Sequence, residues 1–317
     1  MKLLITRPMT ASVEARAREA FADVEIRDST EVMREADMLR ALAEFDAVVP
    51  TLGDLFSAEI FAKAGTPRCK LLANFGVGYN HIDAEAARAA GVEVTNTPGA
   101  VTDATADVAM TLMLMSARRA SEGERLVRGG GWQGWHPTQL LGLHMTGKHV
   151  GIVGMGRIGQ AIARRCHFGF GMSVSYVARS DKTLEFPAVR ADSLAALAAA
   201  VDLLVVAVPG GAETRHLIDA QVLAAMPGHA HLINIARGEV VDEAALIAAL
   251  QQRRIGGAGL DVYEFEPEVP QALRDLDNVT LLPHLGTATE EVRSAMGHMA
   301  LDNVAAFAAG AVPPNRV

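Results

Sequence analysis

HVGIVGMGRIGQAIA, residues 149–163, joins an apolar run to a helical one through Gly154, Gly156 and Gly159 at the spacing G-x-G-x-x-G. The first glycine of such a run permits a tight turn, and the second lets the backbone approach phosphates. The third lets the helix pack closely on the strand, leaving the helix N-terminus aimed at an anion. The flanks supply the context that the spacing alone lacks: a valine- and isoleucine-rich strand before it, a helix after it, and a second strand over residues 172–177 after one crossover. The loop reads as a dinucleotide pyrophosphate site, with Met155, Arg157 and Ile158 as its intervening residues.

Outward from this loop, short β-like runs alternate with alanine-rich helical ones. Residues 2–6, 24–27, 47–50, 71–74 and 92–96 read as strands before it, and residues 203–208, 231–235, 257–260 and 279–282 after it. That alternation predicts parallel sheets wrapped by helices. A long amphipathic run over residues 102–119 reads as a helix leaving the first unit, a connector between domains. The segment GGGWQGWHPTQLLGLHMTG that follows is too irregular for a helix and too apolar for a free linker, so it is expected to pack against something, another subunit included.

The chain has 317 residues, about twice a typical domain of roughly 150, and half of it is hydrophobic, enough for two cores. A formal net charge of −8 without a long basic run argues against nucleic acid as a partner. The two cysteines, Cys69 and Cys166, form no metal-ligand or redox spacing and read as core residues of a reduced, cytoplasmic chain. No metal site is expected. No uncharged apolar stretch approaches the roughly 20 residues that span a bilayer, so no membrane association is expected either.

An acidic residue about 20 positions past the glycine motif normally holds the adenosine ribose hydroxyls. Here the strand ends Tyr176-Val177-Ala178-Arg179-Ser180. Arg179 and Ser180 offer a cation and a hydroxyl to a 2′-phosphate, which favours NADP(H) over NAD(H). In the alternative, Arg179 is a solvated turn residue, Asp181 takes the ribose, and NAD(H) serves.

Three further strand ends carry reactive groups. Arg237 follows the run Asn234-Ile235-Ala236 and can fork two donors onto a carboxylate and an adjacent carbonyl oxygen. Glu266 follows Asp261-Val262-Tyr263, and His284 follows Leu281-Leu282-Pro283. Reduction of a ketone needs a proton donor at the developing alkoxide, and a carboxylate facing the other ring nitrogen of a histidine fixes its orientation and favours its charged form. Taken singly, each of these residues has an ordinary structural role. Their shared position at strand ends, on the side where the glycine loop places a nicotinamide, makes them a catalytic set.

In their order and spacing, the glycine motif, residues 234–238, Asp261-Val262-Tyr263 with Glu266-Pro267, and Pro283-His284 resemble the D-isomer-specific 2-hydroxyacid dehydrogenase family over nearly the whole chain. The resemblance implies an α/β fold of two Rossmann-like, doubly wound domains with the active site in the cleft between them. Residues 1–100 with 288–317 would form a discontinuous substrate-binding domain, and residues 101–287 the dinucleotide-binding domain. It implies that Arg237 orients a 2-oxoacid, His284 exchanges the proton and Glu266 supports His284 while hydride passes to C2. Asp261, Thr105, Val208, Pro209, Thr214, Ile235, Ala236 and Gly286 would line the cofactor's path.

One departure is Pro209-Gly210-Gly211, where many members carry a more polar run. In the first unit, residues 74–83 resemble the family's loop for the substrate carboxylate, with the amides of Val77 and Gly78 as donors. Leu52 corresponds to the loop beside the substrate's side chain. The Gly-Trp-x-Gly-Trp-x-Pro run and the Ala178-Arg179-Ser180 ending look most like glyoxylate and hydroxypyruvate reductases, and residues 132–146 resemble a dimer-forming arm, implying a homodimer. The competing expectations are a phosphoglycerate or bulky 2-oxoacid dehydrogenase of the same family, and a non-enzymatic NAD(P)-sensing scaffold or corepressor.

Overall fold

The computed structural model describes residues 1–317. The chain divides into two compact units, Met1–Val101 with Ala288–Val317, and Thr102–Thr287.

The first unit alternates β1 (Lys2–Ile5), α1 (Ala11–Ala20), β2 (Asp23–Ile26), α2 (Glu35–Glu44), β3 (Ala47–Val49), α3 (Ala58–Ala64), β4 (Leu71–Ala73), α4 (Ala84–Ala89) and β5 (Glu93–Thr95). Its five strands run parallel in the order β2-β1-β3-β4-β5. β3 and β4, Ala-Val-Val and Leu-Leu-Ala, are buried on both faces, as strands covered by helices on each side must be. Asp83 caps α4 by accepting the Ala86 N–H.

The second unit runs through α5 (Thr102–Ala117), α6 (Ala120–Arg128), β6 (His149–Val153), α7 (Arg157–Phe170), β7 (Ser173–Val177), β8 (Val189–Arg190), α8 (Leu194–Ala200) and β9 (Leu203–Val206). It continues with α9 (Ala220–Ala225), β10 (His231–Asn234), α10 (Glu243–Gln251), β11 (Gly257–Leu260), α11 (Gln271–Arg274) and β12 (Val279–Leu281). The chain then returns to the first unit as α12 (Glu290–Ala308). There Gly297 lets α12 lie against α1, because a Cβ on it would stand 2.5 Å from a methyl of Val13.

The seven-stranded sheet is parallel throughout, in the order β12-β11-β10-β9-β6-β7-β8. Strand order reverses between β6 and β9, the switch point where open α/β sheets bind ligands. The strands fall where the apolar runs predict them, most of them slightly shorter. The two-residue edge strand β8 carries no periodic signal, having too few residues to show one.

The run over residues 102–119 differs from its expected form. Helix α5 ends at Ala117, Arg119 takes a left-handed conformation, and α6 begins at Ala120. Nor is α5 a one-sided connector: it is the first element of the second unit and buries Ala104, Thr105, Ala106, Ala109, Met110, Leu112, Met113, Ser116 and Ala117. The Gly-Ala-Gly of β11 explains how it comes so close, since a Cβ on Gly259 would lie 3.0 Å from Leu112 Cβ. Cys69 and Cys166 are buried, and burial pushes both thiols up to about 12. The segment after α6 has no regular structure until β6 and leaves Trp132 53% and Trp135 77% exposed. No helix is long and apolar enough to cross a membrane.

Candidate active site

The glycine loop sits at the end of β6, on the switch point. Gly154 has φ +100°, and a Cβ there would lie 2.6 Å from the Ala207 carbonyl oxygen, so the loop leans directly on the chain leaving β9 just before Val208 and Pro209. A Cβ on Gly159 would stand 2.1 Å from the Gly154 carbonyl oxygen, the close helix-strand approach that the third glycine provides. Around Gly156, by contrast, a Cβ would meet nothing within 4 Å. Gly156 is the N-cap of α7, whose first turn carries no acidic residue. Open space over a glycine, in front of a helix N-terminus without acids, fits the pyrophosphate of a nicotinamide dinucleotide. Met155 turns its side chain into the core and Arg157 is exposed, so Met155 offers this site only its backbone.

At the end of β7, Arg179 and Ser180 are exposed and Ser180 Oγ accepts from Lys182 Nζ at 3.0 Å. Asp181, the alternative ribose ligand, is paired with Arg190 at 2.9 Å. The same Arg190 donates to the Ala178 carbonyl at 2.9 Å.

The Arg237 turn is shaped by Asn234, which is almost fully buried. Its Oδ1 accepts the Ala236 N–H at 3.0 Å and its Nδ2 donates to the Arg237 carbonyl at 3.0 Å, bending the chain as it leaves β10 past Ile235 and Ala236. Burial pulls the Arg237 guanidinium below its ordinary pKa, and the Glu266 and Glu239 carboxylates oppose that shift. An arginine stays charged under such conditions. The unusual Pro209-Gly210-Gly211 run has its reason here. A Cβ on Gly210 would lie 2.8 Å from Arg237 Cγ and 2.7 Å from Glu239 Oε1, while the Gly211 N–H donates to that same oxygen at 2.9 Å. Thr214 Oγ1 lies 2.7 Å from the Pro209 carbonyl and shapes the same loop.

His284 and Glu266 meet as their spacing at neighbouring strand ends predicts: Nδ1 stands 2.7 Å from Glu266 Oε2. An ionised carboxylate only accepts, so Nδ1 carries the proton of this bond. The Nε2 atom has no partner in the chain. Burial works to raise the Glu266 pKa, but the hydrogen bond and charge of His284, the Tyr263 N–H at 3.1 Å and the Arg237 charge outweigh it and hold the carboxyl below its usual value.

The backbone of His284 is left-handed, φ +54°, a conformation that costs on the order of 1–3 kcal/mol in a residue with a side chain and that its neighbours must hold. Asp261 does so. Its carbonyl accepts the His284 N–H at 2.9 Å and its buried carboxylate accepts those of Leu285 and Gly286 at 2.7 and 2.8 Å. Burial raises the Asp261 pKa, against the pull of those amides and of His284. Thr105 Oγ1 completes the turn by donating to the Gly286 carbonyl at 3.1 Å.

In the first unit, Asn74 Nδ2 donates to the carbonyls of Gly76 and Gly78, both at 3.0 Å, and its Oδ1 accepts from His81 Nε2 at 3.0 Å. Asn96 Nδ2 donates to the Val77 carbonyl at 2.9 Å. The carbonyls of residues 76–78 are thus tied down, while the N–H groups of Val77 and Gly78 have no partner in the chain. The loop bearing the exposed Leu52 is organised by Asp54, which is fully buried. Asp54 accepts from Thr6 Oγ1 at 2.7 Å, Thr51 N at 3.0 Å and Met33 N at 3.1 Å, and pairs with Arg7 at 3.0 Å. Residues 110–286 match the family model of the D-isomer specific 2-hydroxyacid dehydrogenase NAD binding domain, more than half of the chain.

The chain belongs to the D-isomer specific 2-hydroxyacid dehydrogenase family.

Among similar dehydrogenases, the glyoxylate reductase of Thermococcus onnurineus is 44% identical over 323 residues, covering 100% of this chain and 95% of its own. The glycerate dehydrogenase of Hyphomicrobium methylovorum is 36% identical, covering 98% and 97%. A crystal structure of the NADPH-dependent glyoxylate/hydroxypyruvate reductase of Sinorhizobium meliloti, in complex with NADP and malonate, matches with a TM-score of 0.87 at 36% identity, covering 100% of this chain and 96% of that one. The architecture is α/β, two units built on parallel sheets of five and seven strands.

Sequence reasoning missed the residues that hold these turns rather than act in them: Asp54 and His81 in the first unit, and in the second the carboxylate of Asp261 as an amide acceptor. An acid directly after a glycine, Gly53-Asp54, is the one signal in the sequence for the first of these.

Proposed function

We propose that this dehydrogenase reduces small 2-oxoacids, glyoxylate and hydroxypyruvate, to D-2-hydroxy acids, with NADPH preferred. The observation that carries the reading is the His284–Glu266 pair, with its imidazole Nε2 unpartnered, at strand ends of the same sheet as Arg237 and the glycine loop. A nicotinamide dinucleotide bound at that loop supplies the hydride delivered to C2. Arg237 holds the substrate carboxylate and the C2 oxygen, withdrawing charge from the carbonyl. The charged His284 imidazole gives its Nε2 proton to that oxygen as the alkoxide develops, and is left neutral with Nδ1–H on Glu266. Each turnover consumes one proton and one hydride and yields one C–H and one O–H bond. Val77 and Gly78, from the first unit, are assigned as amide donors to the substrate carboxylate, and Leu52 as its side-chain neighbour.

The NADPH preference is supported by the cations at the end of β7 and by the pairing of Asp181 with Arg190, which occupies the carboxylate that would otherwise repel a 2′-phosphate. A homodimer is supported by the exposed tryptophans after α6 and by α6 itself, none of whose residues is buried in the chain. The test is absorbance at 340 nm with glyoxylate, hydroxypyruvate, pyruvate and phenylpyruvate, each with NADPH and NADH. Fast NADPH oxidation by the first two is the expected result. Silence with bound cofactor defeats the reading in favour of a nucleotide-sensing role, and preference for the bulky acid defeats the substrate assignment.

A further inference from the structure

Arg237 and Glu266 stand on different turns, and the contact between those turns is made by backbone. A Cβ on Gly238 would lie 1.8 Å from the Tyr263 carbonyl carbon and 2.3 Å from the Glu264 nitrogen. Only glycine permits this approach, and van der Waals contact alone does not keep two turns in register. A third segment, residues 215–218, bridges them. On one side the His216 N–H donates to the Glu239 carbonyl at 2.8 Å and the Ile218 N–H to the Val240 carbonyl at 3.0 Å. On the other, Arg215 Nη2 at 2.7 Å and His216 Nε2 at 2.8 Å both reach Glu264 Oε1. The Glu264 side chain is only 7% exposed, unlike the surface pairs elsewhere on the chain. His216 adopts a left-handed backbone, φ +49°, to make both contacts at once. Around the grip, Glu243 Oε2 accepts the Glu264 N–H at 3.4 Å and Glu239 stands on the Arg237 turn.

We propose that Glu264, gripped by Arg215 and His216, is a positioning residue for the reduction: it holds the turn bearing Glu266 against the turn bearing Arg237. The proposal rests on the reductase reading above. Loosening the grip lets Glu266 drift from His284 and Arg237 together, while the Tyr263 N–H on its own turn moves with it. Those are the contacts that keep its carboxyl ionised, so a loosened turn and a merely deleted charge act in opposite directions on the acidic limb of the pH–rate profile.

The experiment compares Glu264→Ala, Glu264→Gln and His216→Asn with the parent, Asn being tolerant of the left-handed backbone. For Glu264→Ala, kcat with glyoxylate should fall about tenfold and the acidic limb of kcat/KM should move up by about half a pH unit or more, with the KM for NADPH within about twofold. Glu264→Gln keeps the Oε1 acceptor that both donors reach and should recover most of the kcat. His216→Asn removes one hold and should show the same pattern, weaker. A kcat within about twofold of the parent, or an acidic limb that moves down as removal of a neighbouring negative charge alone would move it, overturns the proposal. If Glu264→Ala does not fold, His216→Asn decides by the same criteria. Should the parent reduce none of the oxoacids, the functional reading fails, and the grip is then judged by hydrogen exchange. Amides of residues 237–241 and 262–267 should exchange faster in the variants, and unchanged exchange overturns it.

Discussion

The strand ends of the Thr102–Thr287 unit display side chains, whereas the loops of the first unit display backbone. In the second unit Arg237 and His284 project from turns whose backbones are pinned by Asn234 and Asp261, and the Glu266 carboxylate is held by the Tyr263 N–H. In the first, Asn74 and Asn96 occupy the carbonyls of residues 76–78 and leave the Val77 and Gly78 amides without a partner in the chain, while Asp54 gathers the 51–54 turn from inside. Two similar parallel sheets have thus been finished differently. Titratable side chains are needed where a proton must move, and fixed N–H dipoles suffice where an anion need only be held.

The comparison is broken most severely at His284. His284→Ala should lower kcat by about 10³-fold, within the span of a lost general acid, while cofactor affinity measured by fluorescence titration stays near the parent's; undiminished turnover would move the proton donor elsewhere. Next in size is Asp54→Ala, which leaves the Arg7 guanidinium and two buried N–H groups without their acceptor. Thermal or urea unfolding should show a loss of about 3 kcal/mol, with the glycine-loop unit's cofactor binding retained after refolding at low temperature. Asn74→Ala should raise the KM for the oxoacid about tenfold, with kcat changed far less, because it frees carbonyls beside the Val77 and Gly78 amides and removes only uniform binding. A kcat loss as large as that of His284→Ala would erase the proposed division of labour.

Smaller effects sharpen the picture. Arg179→Ala should weaken NADPH by about tenfold, roughly one charge-assisted hydrogen bond, and leave NADH unchanged; equal losses would place the phosphate site elsewhere. The pH dependence follows from Glu266, whose carboxyl is held below the ordinary value of 4.5. Its contribution to stability is present above that value and is lost as pH falls through the lowered one in the folded enzyme. The acidic limb of kcat/KM should therefore lie below pH 4.5 and vanish in Glu266→Gln.

Much of this is legible in the sequence. The glycine spacing, the alternating apolar runs and the reactive residues at strand ends are local patterns, and Arg237, Glu266 and His284 are brought to one sheet's ends because parallel strands share a direction. What stayed hidden is long-range and aperiodic. Thr105 meets Gly286 across 181 positions and Ser116 meets His231 across 115, and no run of sequence announces either. The burial of α5 is hidden for a related reason: its covering layer includes β11, whose Gly-Ala-Gly reads as a strand without announcing the helix that its missing side chains admit. The role of Gly210 likewise emerges only beside Arg237.

Helix α5 has a further property in what it spans. Near its start Thr105 secures the turn after His284. Midway Leu112 rests on Gly259. Near its end Ser116 Oγ lies 2.7 Å from Nδ1 of His231, a histidine whose pKa is pushed down to about 4 by burial and by the charge of His229, and which is therefore a neutral fixture. From Thr105 to Ser116 is about 16 Å of helix at 1.5 Å per residue. The helix works as a ruler whose graduation is Gly259: a methyl added there would stand 3.0 Å from Leu112 Cβ, tighter than ordinary contact, so helix or strand must give by a few tenths of an ångström. The placement of the turn after His284 thus depends on a small residue far along the helix from it, and tolerance to mutation in this sheet should be lowest at its smallest side chains.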